Sequence, residues 1–232
     1  MWRIHPPCKL VDRIAAWVLR GRGAMDWREA HMRYLSMARK HGLFVHAREV
    51  YIDIDQCFLS ETLEAYLPRF HSFTQVHTLR ISGFDVARFL PAFEQYFAQF
   101  VPTLRSLYLP YVMGGLHAVL EFICKFPHLD NLSLTLSASY CTDIRPPPRL
   151  SVEHSPPLRG TLVLRGWASV FVRFLLKIPG GLHLRSINVG GVDREELDKI
   201  LVACSSNLEV FSLHPLSREF IQYYLPSGRI RF

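Results

Sequence analysis

No stretch of the 232-residue chain approaches the ~20 consecutive apolar residues that a membrane span requires, and the opening Met-Trp-Arg-Ile-His-Pro-Pro breaks before a secretory apolar core could form. Neither a signal peptide nor a transmembrane helix is therefore expected, and no membrane partner. Cysteine is scarce and unpaired. Five residues, at 8, 57, 124, 141 and 204, form no Cys-x-x-Cys pair, which argues against a disulfide framework and a zinc site and for a reducing, intracellular location, cytoplasmic or nuclear. Catalytic signatures are missing as well: no Gly-x-Ser-x-Gly, no His-Glu-x-x-His and no phosphate loop, and the 11 histidines are scattered singly. The reading is of a non-enzyme with no catalytic residues, cofactor or metal. Only 20% of residues are charged, against 49% hydrophobic, so a folded chain with a sizeable core is expected. The net charge of +7 raises nucleic acid as a partner, but Arg20, Arg22, Arg28, Arg33, Arg39 and Lys40 are interrupted by apolar and acidic residues, which disfavours a binding stripe.

What is present is a repeat. An aliphatic residue, two variable positions, a second aliphatic, one variable position and a third aliphatic recur as Val76-Leu79-Ile81, Leu104-Leu107-Leu109, Leu129-Leu132-Leu134, Leu184-Ile187-Val189 and Leu208-Phe211-Leu213. Leu158-Leu162-Leu164 carries one extra residue, and Ala47-Val50-Ile52 opens the series in weaker form. The middle anchors are separated by 29, 28, 25, 30, 25 and 24 residues. Between them the spacing becomes helical, as in Val86, Phe89, Leu90, Phe93 and Phe97, in Leu116, Val119, Leu120 and Ile123, in Val170, Phe174 and Leu175, and in Leu197, Ile200 and Leu201. A short strand and a helix that alternate at this period cannot each bury an apolar face alone, and stacking neighbouring units solves that. The expected fold class is α/β: a leucine-rich-repeat solenoid with a curved parallel sheet inside and helices outside, spanning residues 46–216. A doubly wound α/β fold shares the alternation but explains the anchor frame poorly. Pro146, Pro147, Pro148, Pro156 and Pro157 mark 139–157 as an insertion, read either as part of a binding face or as slack between repeats, and 217–232 as a tail.

In a strand, side chains alternate, so the variable positions between anchors face away from the core. They are Tyr51, Asp53, Arg80, Tyr108, Ser133, Val163, Arg165, Asn188, Ser212 and His214. Tyr and Arg are favoured at binding hot spots, and a protein partner on this concave face is expected, anchored by Arg80, Tyr108 and Arg165.

Residues 1–45 differ from the repeats, with helical spacing in Leu10, Val11, Ile14, Trp17 and Val18 and a second helix around 27–41. Pro7-Cys8-Lys9-Leu10-Val11-Asp12-Arg13-Ile14-Ala15-Ala16-Trp17-Val18 resembles the opening of an F-box, and Tyr34–Arg39, Leu43-Phe44 and Arg48–Ile52 resemble its later part. With phrases such as Phe126-Pro127-His128-Leu129, the chain resembles the fungal F-box-like leucine-rich-repeat proteins. It departs from them at Pro6 and Lys9, where the F-box usually has Leu and Glu, and it lacks the Trp of the third helix. The resemblance implies a substrate-recruiting subunit of a cullin-RING ubiquitin ligase. Leu10, Val11, Ile14 and Trp17 would then contact the Skp adaptor, and the repeats would hold the substrate. Two alternatives stand beside it: the same residues cap the open end of a free-standing scaffold, or the solenoid binds nucleic acid.

Overall fold

In a computed structural model, the structure describes residues 17–19, 47–54, 71, 73–83, 85–113, 115–136, 158–166, 168–178 and 181–214. Among the described residues eight strands form a single sheet: β1 (Trp17–Leu19), β2 (Glu49–Ile54), β3 (Thr78–Ser82), β4 (Ser106–Val112), β5 (Asn131–Leu136), β6 (Thr161–Gly166), β7 (Ser186–Val189) and β8 (Val210–Leu213). Every pairing is parallel and the strand order is the chain order. Among the described residues four helices, α1 (Val86–Tyr96), α2 (Leu116–Cys124), α3 (Ser169–Leu175) and α4 (Arg194–Cys204), lie in the crossovers β3–β4, β4–β5, β6–β7 and β7–β8. No described helix is long and apolar enough to cross a membrane.

Register follows the anchor frame. Val50, Leu79, Leu107, Leu132, Leu162, Ile187 and Phe211 pair in succession across seven strands. All but the last are buried. A one-residue slip would turn each leucine out of the core, so the period-two pattern locks the pairing. The first anchors Val76, Leu104, Leu129, Leu158 and Leu184 are fully buried below the strand starts. There a second ladder runs through the connections. The Arg48 carbonyl accepts from the N–H groups of His77 and Thr78, that of His77 from Arg105 and Ser106, and that of Arg105 from Asp130 and Asn131. Gly160 and Arg185 carry the same pattern onward to Arg185–Ser186 and Glu209–Val210.

The extra residue before Leu162 is absorbed at Leu158–Gly160. Leu158 adopts φ +39°, and Thr161 N–H donates not to a backbone carbonyl but to Asn131 Oδ1 at 2.8 Å. Asn131 Nδ2 donates in turn to Ser106 Oγ at 3.0 Å, so one side chain bridges three units.

The helices close the other side of the anchors. Phe93, Phe97, Phe100, Phe122 and Phe126 are fully buried and meet mostly edge to face, with ring centroids 4.9–5.7 Å apart. Such contacts add to the transfer energy of the rings. Glu94 and Lys125 link α1 to α2 at 2.7 Å, and Arg173 and Glu196 link α3 to α4 at 2.6 Å. The four helical segments predicted between the anchors are helical, with two corrections. Phe97 follows α1 in a turn, and Val170, placed on the apolar face of α3, is 44% exposed; Phe171 and Val172 are buried instead.

A further correction concerns Trp17. The spacing predicted a helix there, whereas Trp17-Val18-Leu19 is a strand paired with Ile52–Ile54. Aromatic and branched residues favour extended backbone, and β2 otherwise offers an unpaired edge. Leu10, Val11 and Ile14, the remainder of 1–45, the insertion 139–157 and the tail 217–232 lie outside the described residues.

Candidate protein-binding face

The open face of the sheet carries the residues that alternate with the anchors. Tyr51, Arg80, Tyr108, Ser133, Val163, Asn188 and Ser212 occupy one register row from β2 to β8. Asp53 sits one position on, opposite Ser82. Arg165 pairs with Thr135, and the ladder continues past it: Gly190 N–H donates to the Leu164 carbonyl and His214 N–H to that of Val189. Arg165, Gly190 and His214 therefore take successive places in a second row, where Gly190 is buried and the His214 carbonyl oxygen would stand 2.8 Å from any Cβ placed on it. Of the three anchors expected from the sequence, Arg80 and Tyr108 are direct register neighbours. Arg165 belongs to the second row, two strands beyond Tyr108.

The first row is graded. At the β2–β4 end, the Arg80 guanidinium carbon lies 5.9 Å from the centroid of the Tyr51 ring, and Tyr51 Oη donates to Glu49 Oε2 at 3.4 Å. Burial, reinforced by the Glu49 carboxylate, pushes the Tyr51 phenol up, so it stays a neutral donor at physiological pH. Towards β8 the row becomes small and polar. Asn188 Oδ1 there is the one buried side-chain polar atom among the described residues without a hydrogen-bond partner.

Sequence reasoning missed Tyr111. Between Leu109–Leu134 and Val112–Leu136 the register shifts, so Pro110 and Tyr111 both oppose Thr135. The bulge holds Tyr111 at φ +57° and leaves it 72% exposed; Tyr108, three residues earlier in the same strand, is 37% exposed. A non-glycine residue in the left-handed region costs about 1–3 kcal/mol, and such strain clusters where backbone is arranged for recognition. The signal was Pro110: a proline inside a strand, with no N–H to give, marks a bulge. A polar row nearer the strand starts, Thr78, Ser106, Asn131, Thr161 and Ser186, was also missed.

Among the described residues no group of three or more His, Cys, Asp or Glu could hold a metal ion. The arrangement offers rings, a guanidinium, hydroxyls and amides on a stiff surface, which is chemistry for holding a surface. No family model, curated protein or solved structure matches this chain.

Proposed function

We propose that the chain is a solenoid of leucine-rich-repeat type that holds a protein partner on the open face of its sheet. The observation that carries this reading is the register-locked row Tyr51–Arg80–Tyr108, followed along β4 by the exposed Tyr111 of the bulge. Large aromatic surfaces and a forked cation are fixed there by backbone pairing, and aromatic rings and Arg are the side chains that dominate interface energies. Preorganisation lowers the ordering cost that binding would otherwise carry. The consecutive parallel order and the 24–30-residue period support the repeat assignment.

A photo-crosslinking side chain at Tyr108 should form an adduct with the partner, while the same group at Val202, 74% exposed on α4, should not. Replacing Arg80, Tyr108 and Arg165 together by Ala should weaken that partner at least tenfold; unchanged affinity would sink the assignment of the face.

The F-box resemblance of 7–52 supports a more specific role, recruitment of that partner to a cullin-RING ubiquitin ligase through the Skp adaptor. The strand at Trp17 departs from the all-helical adaptor contact that the resemblance implies. Co-purification with the Skp adaptor, lost in Leu10→Asp with Ile14→Asp while the sheet stays folded, supports recruitment; no complex with the intact chain leaves the scaffold alone.

A further inference from the structure

The starts of the last three strands border an open cleft of about 620 Å³ lined by Arg159, His183, Arg185, Ser206, Asn207, Leu208 and Glu209. It lies at one edge of the sheet, away from the rows that carry the open-face side chains. Its frame is rigid: Arg185 N–H donates to the Gly160 carbonyl at 3.0 Å, and Glu209 N–H donates to the Arg185 carbonyl at 2.8 Å. Asn207 Nδ2 stands 3.2 Å from His183 Nδ1, tying the turn after α4 to the segment before β7. Arg159 and Arg185 are both exposed, and neither enters an ion pair or a side-chain hydrogen bond among the described residues. By contrast, Arg173 on the helix side is engaged by Glu196.

We propose that this cleft is a docking site for an acidic peptide segment, whose carboxylates take the two free guanidinium forks. Arg matches a carboxylate bidentately, and the Ser206 hydroxyl supplies a further donor. A nucleic acid fits less well. Glu209 faces the same cleft and would repel a continuous phosphate backbone, whereas a peptide can place a cationic or neutral residue opposite it. His183 is the one aromatic ring of the cleft and its Nδ1 is held 3.2 Å from Asn207 Nδ2, so the cleft carries no row of rings on which successive bases could stack. The positive edge continues along the strand starts through exposed Arg105 and Arg48, with Asp130 between them and the cleft and Glu209 beyond Arg185, so acid interrupts the ridge once and closes its end. Such a broken pattern suits a segment of mixed but predominantly acidic sequence.

The probe is a fluorescent octapeptide of alternating Glu and Gly, measured by anisotropy against the full chain at low salt. Saturable binding, weakened at least tenfold by Arg159→Glu with Arg185→Glu and falling as salt rises, is the expected result. Both positions are exposed, so circular dichroism of the double variant should match the parent. Absence of saturable binding, binding indifferent to the double variant, or tighter binding of a single-stranded oligonucleotide of equal charge would overturn the proposal. The site is independent of the open face: the Arg80, Tyr108 and Arg165 triple variant should bind the octapeptide as the parent does, so the two readings fail separately.

Discussion

A Cβ on Gly160 would stand 2.2 Å from Asn131 Oδ1, far inside contact distance, and 3.2 Å from the Asp130 carbonyl oxygen, a tight contact. The glycine is there because Asn131 reaches across to Thr161. Gly160→Ala should push the amide aside, strip Thr161 N–H of its acceptor and lower stability in urea unfolding by about 1–3 kcal/mol, the cost of a buried donor left unsatisfied. Asn131→Ala combined with Gly160→Ala should cost less than the sum of the two, since both remove one bridge. The sequence displayed the irregularity as one residue too many between Leu158 and Leu162. It could not display the remedy, because the amide that accepts from Thr161 lies 30 positions upstream. Tyr111 was hidden for a related reason: which residue a bulge turns outward depends on pairing with β5, although Pro110 marks where the bulge falls.

Within elements the legible and illegible parts divide by length. Anchors at spacing three and two, and apolar residues at helical spacing, average over many residues, and they located seven strands and the place of each described helix, though not the full buried face of α3. Trp17–Leu19 is three residues long, too short for periodicity to separate extended from helical backbone, and only the free edge of β2 decides it. Ion pairs between helices were equally invisible, and they differ in weight. Glu196 is 4% exposed, so Arg173→Ala would leave a carboxylate out of water with its guanidinium partner gone. The Glu196 hydrogen bond, then its charge, holds the Arg173 guanidinium above its ordinary value. The Glu94 side chain is 63% exposed, and its pairing with Lys125 contributes within about 1 kcal/mol. The expected outcome is that Arg173→Ala lowers the urea midpoint more than twice as far as Lys125→Ala; equal shifts would mean that water already reaches Glu196.

At the scale of the molecule, stability is a sum over neighbours. In β5 every second residue is buried, whereas β8 has none fully buried, with Val210 52% exposed. Opening should therefore begin at the β8 edge. Amide hydrogen exchange should show protection highest in β4–β6 and falling through β7 to β8; uniform protection would mean that the sheet opens only as a whole. The same serial order bears on how such a chain changes over generations. Each strand bonds only to the unit before it and the unit after it, so duplicating or deleting one stretch of 24–30 residues alters a single junction and leaves every other pairing as it was. The reach of the surface that meets a partner is thus a quantity that heredity can lengthen or shorten in whole steps, while the rule for building each step stays fixed.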